Sequence, residues 1–125
     1  MNITRLHQVA QRAEDLDRAT AFYRDVLGLR HLASYDPPGL VFFDLDGARL
    51  LLERAAPSSL LYVEVPDIDA AVEALRAKGV EIASEPHMIF ADSDGTFGEA
   101  GTEEWMAFFK DTEGNLVGLV ERRPA

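Results

Sequence analysis

The sequence predicts an α+β fold made of two βαβββ modules within a single domain. The first observation is an internal repeat: residues 5–29 and 59–80 each hold a strand-like stretch, an Asp, a helical run and then a Gly. The second is that three strand patterns separated by turn residues follow each helical run. The third is size, since 125 residues with 47% hydrophobic content supply one core but no second independent domain.

The two helices are predicted from apolar spacing and from the residues at their ends. Apolar residues recur at i, i+3 and i+4 between Asp15 and Gly28, and again between Asp67 and Gly79. Asp is a favoured N-cap, and Gly commonly ends a helix. The segment Ala56-Pro57-Ser58-Ser59 separates the repeats, so we assign residues 1–57 to the first module and residues 58–125 to the second.

The remaining strands are predicted between turn signals. In the first module they are LRHLASYD, GLVFFDLDG and ARLLLER, and in the second VEIASEPHMIF, EEWMAFFKDTEG and NLVGLVE. The stretch ADSDGTFGEAGT is acidic and rich in glycine. We expect it to be a mobile solvated loop that is able to act as a lid.

Composition and charge limit the classes of partner that we expect for this protein. Twelve Lys and Arg face 22 Asp and Glu, a net charge of −10, so nucleic acids and acidic membranes are not expected as partners, whereas a cationic ligand suits such a surface. No apolar run approaches the roughly 18 residues of a membrane span, and no signal peptide is evident, so we expect a cytoplasmic protein. The absence of cysteine excludes disulfides and thiolate metal sites.

Three segments together indicate a family. They are LHQVAQRAEDLDRATAFYRDVLGL, LLLE and FFKDTEGNLVGLVE, and in this order they resemble the vicinal oxygen chelate superfamily, which includes glyoxalase I, bleomycin-resistance proteins and extradiol dioxygenases. The resemblance implies the glyoxalase/bleomycin resistance/dioxygenase fold, in which two modules form curled mixed sheets around a cleft. It also implies a small-molecule ligand and a homodimer.

The resemblance further implies a divalent metal held by the first and fourth strands of each module. Gln8, seven residues before Asp15, and Glu53 match two of the four ligand positions. The other two positions carry Leu60 and Gly118, which have no donor atoms in their side chains. Because a tight site normally needs three or more protein ligands, no cofactor is expected, and a divalent metal at Gln8 and Glu53 is the less favoured alternative. The alternative is that Gln8 is a hydrogen-bonding group of the cleft and that Glu53 is a strand-end carboxylate near Arg54 or Arg49.

Strand alternation selects the candidate ligand contacts. It sends Glu104, Met106 and Phe108 to one face, and Trp105 with Phe109 to the other. By resemblance the first face looks into the cleft. The predicted substrate contacts, including those from the first module, are Gln8, Phe43, Glu53, Met106 and Phe108. The alternative for the aromatic residues is ordinary core packing.

Two residues are candidates for catalysis. Glu104 lies beside aromatic residues and is a candidate general base, and His87 is predicted on a strand of the second module. The alternative for Glu104 is an exposed acid, and for His87 a structural role.

Two functions follow from these observations, the leading interpretation first and its alternative second. One is a glyoxalase- or dioxygenase-like protein with an incomplete metal site and lyase, isomerase or dioxygenase-type activity. The other is a non-catalytic protein that sequesters a small molecule, as bleomycin-resistance proteins do. The sequence leaves open whether the protein is an enzyme.

Overall fold

The computed structural model describes residues 1–124, which form two four-stranded mixed sheets, each with one helical segment. The first unit comprises β1 (Gln8–Arg12), α1 (Leu16–Ala21), β2 (His31–Tyr35), β3 (Leu40–Asp44) and β4 (Arg49–Glu53). The second comprises β5 (Leu61–Glu64), α2 (Ile68–Ala77), β6 (Ile82–Asp92), β7 (Thr102–Lys110) and β8 (Leu116–Pro124). The predicted α+β class and the two βαβββ modules are confirmed.

The two sheets have the same topology. Their strand orders are β1-β4-β3-β2 and β5-β8-β7-β6. In each, the first strand lies parallel to the last, and the other neighbours are antiparallel. Residues 1–59 form one compact unit with the turn 112–115, while residues 60–111 and 116–124 form the other. That the two modules make up a single domain stays a prediction.

The helix ends follow the predicted capping. The Asp15 carboxylate accepts a hydrogen bond from Arg18 N at 3.0 Å, and Asp67 accepts one from Ala70 N at 3.1 Å. Gly28 and Gly79 adopt φ values of 75° and 79°, which a residue without Cβ tolerates best.

The first helical run is less regular than its spacing predicts. After Ala21 the chain continues as a wider π-helical turn over Phe22–Val26. The extra residue in such a turn shifts the phase of the side chains. Phe22 and Tyr23 are consecutive and both buried.

Each sheet packs against its helix through one face. In the first unit Leu50, Leu52 and Phe43 are fully buried together with Tyr23, whose ring centroid lies 6.1 Å from that of Phe43. In the second unit the buried face of the sheet carries Ala107, Phe109, Val117 and Leu119, and the buried residues of α2 are Ile68, Val72 and Leu75. The opposite face of each sheet, called here its open face, holds the candidate functional residues other than Phe43.

Candidate functional site

The open face of the first sheet carries Gln8 and Glu53 but not Phe43. Strand pairing places Gln8 opposite Arg49, Glu53 opposite Arg12, and Phe43 opposite Leu50. Since side chains alternate along a strand, Phe43 projects to the helix side, where it is 0% exposed. The prediction that Phe43 shares a face with Gln8 and Glu53 is wrong. The neighbouring Phe42 takes that place.

Gln8 and Glu53 lie at opposite ends of the β1–β4 ladder. Gln8 is paired with the first residue of β4 and Glu53 is the last residue of that strand. Four residues of extended chain correspond to about 13 Å. The structure therefore does not bring these two side chains together around one ion.

The side-chain oxygen of Gln8 accepts hydrogen bonds from Arg49. Arg49 Nε and Nη2 donate to Gln8 Oε1 at 3.1 and 2.7 Å, and Nη2 lies 3.3 Å from Nε2 of His7. The guanidinium also lies over the Phe42 ring, 5.3 Å from its centroid. A fixed positive charge at this oxygen opposes the binding of a metal cation.

The open face of the second sheet is built around a glycine. Gly118 of β8 pairs with Tyr62 of β5 on one side and with Phe108 of β7 on the other. A Cβ on Gly118 would lie 2.8 Å from Tyr62 Cδ2 and 3.0 Å from Phe108 Cε1. The two rings meet edge to face, with centroids 5.9 Å apart at 80°. We call Tyr62, Phe108 and the Gly118 backbone beneath them the aromatic shelf.

The next row across the same face mixes apolar and polar groups. Glu64 pairs with Val120, Val120 with Met106, and Met106 with His87. Met106 and Phe108 are half-buried, whereas His87 is exposed. The register thus brings Met106, Phe108 and His87 onto one face, and it places Trp105 and Phe109 on the other.

Glu104 lies on this face within an ion-pair network. Arg122 Nη1 donates to Glu104 Oε2 at 2.8 Å, while its Nη2 donates to Asp92 Oδ2 at 2.8 Å and to Thr102 Oγ1 at 2.6 Å. The side chains of Glu104 and Arg122 are only 18% and 19% exposed. Arg122 thus occupies one oxygen of the carboxylate that was predicted to act as a general base.

The acidic loop is anchored to the same network. Asp92, 3% exposed, accepts hydrogen bonds from Thr96 N at 2.8 Å and Phe97 N at 3.0 Å. The Arg122 hydrogen bond and these amides hold the pKa of Asp92 below its ordinary value of 3.8, although burial opposes the shift. The loop expected to be mobile is therefore tied at its base by an ionised carboxylate.

The sequence matches the model of the Glyoxalase/Bleomycin resistance protein/Dioxygenase superfamily over residues 5–119. The chain belongs to this superfamily. No curated protein matches it. None of the helices in residues 1–124 is long and apolar enough to cross a membrane.

Solved structures of the superfamily share its fold. A Glyoxalase/bleomycin resistance protein/dioxygenase superfamily member from Sphaerobacter thermophilus has a TM-score of 0.74 and 23% identity, over 95% of this chain and 98% of its own. Lactoylglutathione lyase from Agrobacterium tumefaciens has a TM-score of 0.72 and 24% identity, covering 96% and 95%. TnmS3, an antibiotic-binding protein from a Streptomyces species, has a TM-score of 0.71 and 23% identity, covering 98% of both chains.

The residues of this superfamily member do not fit a metal. Within residues 1–124 no three His, Asp or Glu side chains are grouped so that they could hold an ion. Leu60 offers no donor atom, and Gly118 is covered by two aromatic rings. Gln8 is bonded to Arg49, and Glu53 lies at the far end of the strand pair.

Four residues of these open faces were not singled out from the sequence. Tyr62 was recoverable, since it lies two residues after Leu60 on a strand of period two. Placing Phe42 on the open face requires the register of β3 against β4, which the sequence does not give. Arg49 and Arg122 depend on partners 41 and up to 30 residues away along the chain, for which no sequence signal exists.

Proposed function

We propose that this superfamily member is a metal-independent protein that binds a small molecule through a planar, apolar or aromatic group on the aromatic shelf. The observation that carries the proposal is the close packing of Tyr62 and Phe108 over Gly118. Where the superfamily resemblance implies a metal-binding carboxylate, this chain presents an aromatic surface.

The exposure of the aromatic shelf supports ligand binding. Tyr62 is 53% exposed and Phe108 is half-buried, so apolar ring surface faces outward from the sheet. Met106 and Val120 extend the apolar floor on the same face. A planar ligand covering these groups gains from apolar burial and from stacking on the rings.

The electrostatics favour sequestration over metal-dependent catalysis. Arg49 is bonded to the amide of Gln8, and Glu104 is paired with Arg122. Gln8, one of the two predicted metal ligands, and Glu104, the predicted general base, thus already have partners. Among the similar structures, TnmS3 is itself described as an antibiotic-binding protein, which is consistent with the proposal.

The test is a calorimetric titration with naphthylethanol, a neutral probe with one planar ring system. We expect binding that is unchanged by EDTA and that Phe108→Ala weakens about ten-fold, in line with the cost of losing an aromatic contact. Trp105→Ala is the matched control because Trp105 lies on the opposite face, beneath the Arg123 guanidinium at 4.1 Å. The proposal is overturned if naphthylethanol does not bind or if EDTA abolishes its binding. It is also overturned if Phe108→Ala and Trp105→Ala both fold and weaken binding equally.

We also propose a cytoplasmic homodimer. The edge strand β6 carries the exposed apolar residues Met88 and Ile89, and unpaired strand edges with apolar side chains favour association. Sedimentation at micromolar concentration should show a species of twice the 13.8 kDa chain mass. A single species at the chain mass would contradict the dimer.

A further inference from the structure

A pocket of about 270 Å³ opens at the edge of the second sheet and is lined by Glu64, Val65, Pro66 and Arg122. We call it the Arg122 pocket. Glu64 lies two residues after Tyr62 on β5 and projects to the same open face. The Cα atoms of Tyr62 and Glu64 are therefore about 7 Å apart, as two residues of extended strand.

Glu64 and Arg122, the two charged residues that line this pocket, differ in whether they form ion pairs. Arg122 lies two residues beyond Val120, the β8 partner of Glu64, and its guanidinium is bonded to Glu104 on β7 and to Asp92 on β6. Within residues 1–124 no Lys, Arg or His nitrogen lies within 4.0 Å of the Glu64 carboxylate. Glu64 is thus a carboxylate facing a pocket without a cation partner.

The charge balance of the surroundings decides which ligand group fits. Arg122 contributes one positive charge, against the negative charges of Glu64, Glu104 and Asp92. An anionic group entering the pocket would meet a net negative site, whereas a cation would pair with Glu64. The net charge of −10 over the chain adds to the attraction of a cation.

We propose that the Arg122 pocket binds the protonated amine of a ligand whose planar ring lies on the aromatic shelf. This rests on the proposed function, and it specifies the ligand class: an aromatic cation whose protonated amine is joined to the ring by a short carbon chain. Glu64 supplies the counter-charge, and Val65 and Pro66 contact the carbon atoms that join the amine to the ring.

The test compares naphthylethylamine with naphthylethanol, which differ only in an ammonium in place of a hydroxyl group. We expect the amine to bind about five-fold more tightly in low salt, and this advantage to shrink at 1 M salt, where the Debye length falls to about 3 Å. Glu64→Gln should abolish the advantage while leaving naphthylethanol binding unchanged. Because Glu64 is exposed, the variant is expected to fold.

Glu73→Gln is the control for net charge, since Glu73 is an exposed helix residue with a 72% exposed side chain. This variant should still bind naphthylethylamine more tightly than naphthylethanol, by nearly the same factor as the wild type. The amine proposal fails if the amine and the alcohol bind alike, or if Glu64→Gln and Glu73→Gln reduce the advantage equally. The proposed function is judged separately, by the response of naphthylethanol binding to Phe108→Ala.

Discussion

At the scale of single residues, Gly118 decides what the open face of the second sheet is able to do. It is buried under two rings, and any side chain there would collide with Tyr62 at 2.8 Å. A glycine inside a strand is normally unfavourable, but it allows another group to approach the backbone closely. Here the approaching groups are the two rings of the aromatic shelf.

Gly118→Ala should lower stability by about 1 to 3 kcal/mol, because the added methyl forces the Tyr62 ring out of place. Binding of naphthylethanol should fall with it. Chemical denaturation and calorimetry measure the two effects. The double variant Gly118→Ala with Tyr62→Ser removes the shorter of the two close contacts, so it should be more stable than the sum of the two single effects predicts. Simple additivity would show that the Tyr62 ring does not press on Gly118.

Glu113 is a second residue whose surroundings have a measurable effect, in this case on its pKa. Its carboxylate accepts hydrogen bonds from Asp15 N at 2.8 Å and from Arg18 Nε at 2.8 Å. Burial acts to raise its pKa, but the bonds from Arg18, Asp15 N and Thr112 outweigh it and lower the pKa from 4.5 to about 2. A depressed pKa stabilises the folded state above pH 4.5, and the contribution is lost as pH falls toward 2.

Glu113→Gln should therefore reduce the free energy of unfolding at pH 7 by about 2 kcal/mol, less than the full linkage value because Arg18 is 53% exposed. The difference from the wild type should shrink steadily between pH 4.5 and pH 2. Urea denaturation across this pH range measures it. Glu14→Gln, at a 78% exposed side chain, is the control and should change little. If the difference in unfolding free energy between Glu113→Gln and the wild type did not change with pH, the lowered pKa of Glu113 would be contradicted.

At the scale of elements, the loop between β6 and β7 is held by the side chain and the carbonyl of Asp92 rather than by regular secondary structure. The Asp92 carboxylate accepts two of its amides, and the Asp92 carbonyl accepts Gly95 N at 3.3 Å and Gly101 N at 2.9 Å. Phe97, 72% exposed, lies with its ring centroid 5.7 Å from that of Phe90. The loop is thus ordered at its base and presents an aromatic side chain at its surface.

Asp92→Asn should loosen this loop, because an amide carries no charge for Arg122 and only one acceptor oxygen. We expect faster hydrogen exchange at the Thr96 and Phe97 amides than in the wild type. In the wild type the protection should persist below pH 3.8, since the pKa of Asp92 is depressed, and should disappear as pH falls through that lowered value. Asp94→Asn, an exposed position in the same loop, is the control. Equal exchange in the two variants would show that Asp92 does not anchor the loop.

At the scale of the whole molecule, we expect no stoichiometric metal. Protein incubated with Zn²⁺, Ni²⁺, Mn²⁺ or Fe²⁺ and then dialysed should retain far less than one equivalent by elemental analysis. Its melting temperature should be the same with and without EDTA. The reason is the donor set: Gln8 is bonded to Arg49, and Leu60 and Gly118 have no side-chain donor. About one equivalent that survives dialysis would overturn the expectation.

Capping and alternation were predictable from the sequence because both are local. Asp15 and Asp67 bond to amides three residues ahead, and the faces of β7 follow from a period of two. The duplicated order of elements, with turn residues between them, likewise predicted two βαβββ modules before any register was known. These features depend on contacts within a few residues, which the order of amino acids specifies directly.

Only the tertiary structure decided which side chains meet on the open faces. Two adjacent phenylalanines, Phe42 and Phe43, are equivalent in the sequence, and the pairing of β3 with β4 alone places one in the core and the other outside. The partners of Arg49 and Arg122 come from other strands, so their ion pairs and hydrogen bonds depend on register. Sheet pairing between distant segments is set by the packing of whole faces, and no local pattern specifies it.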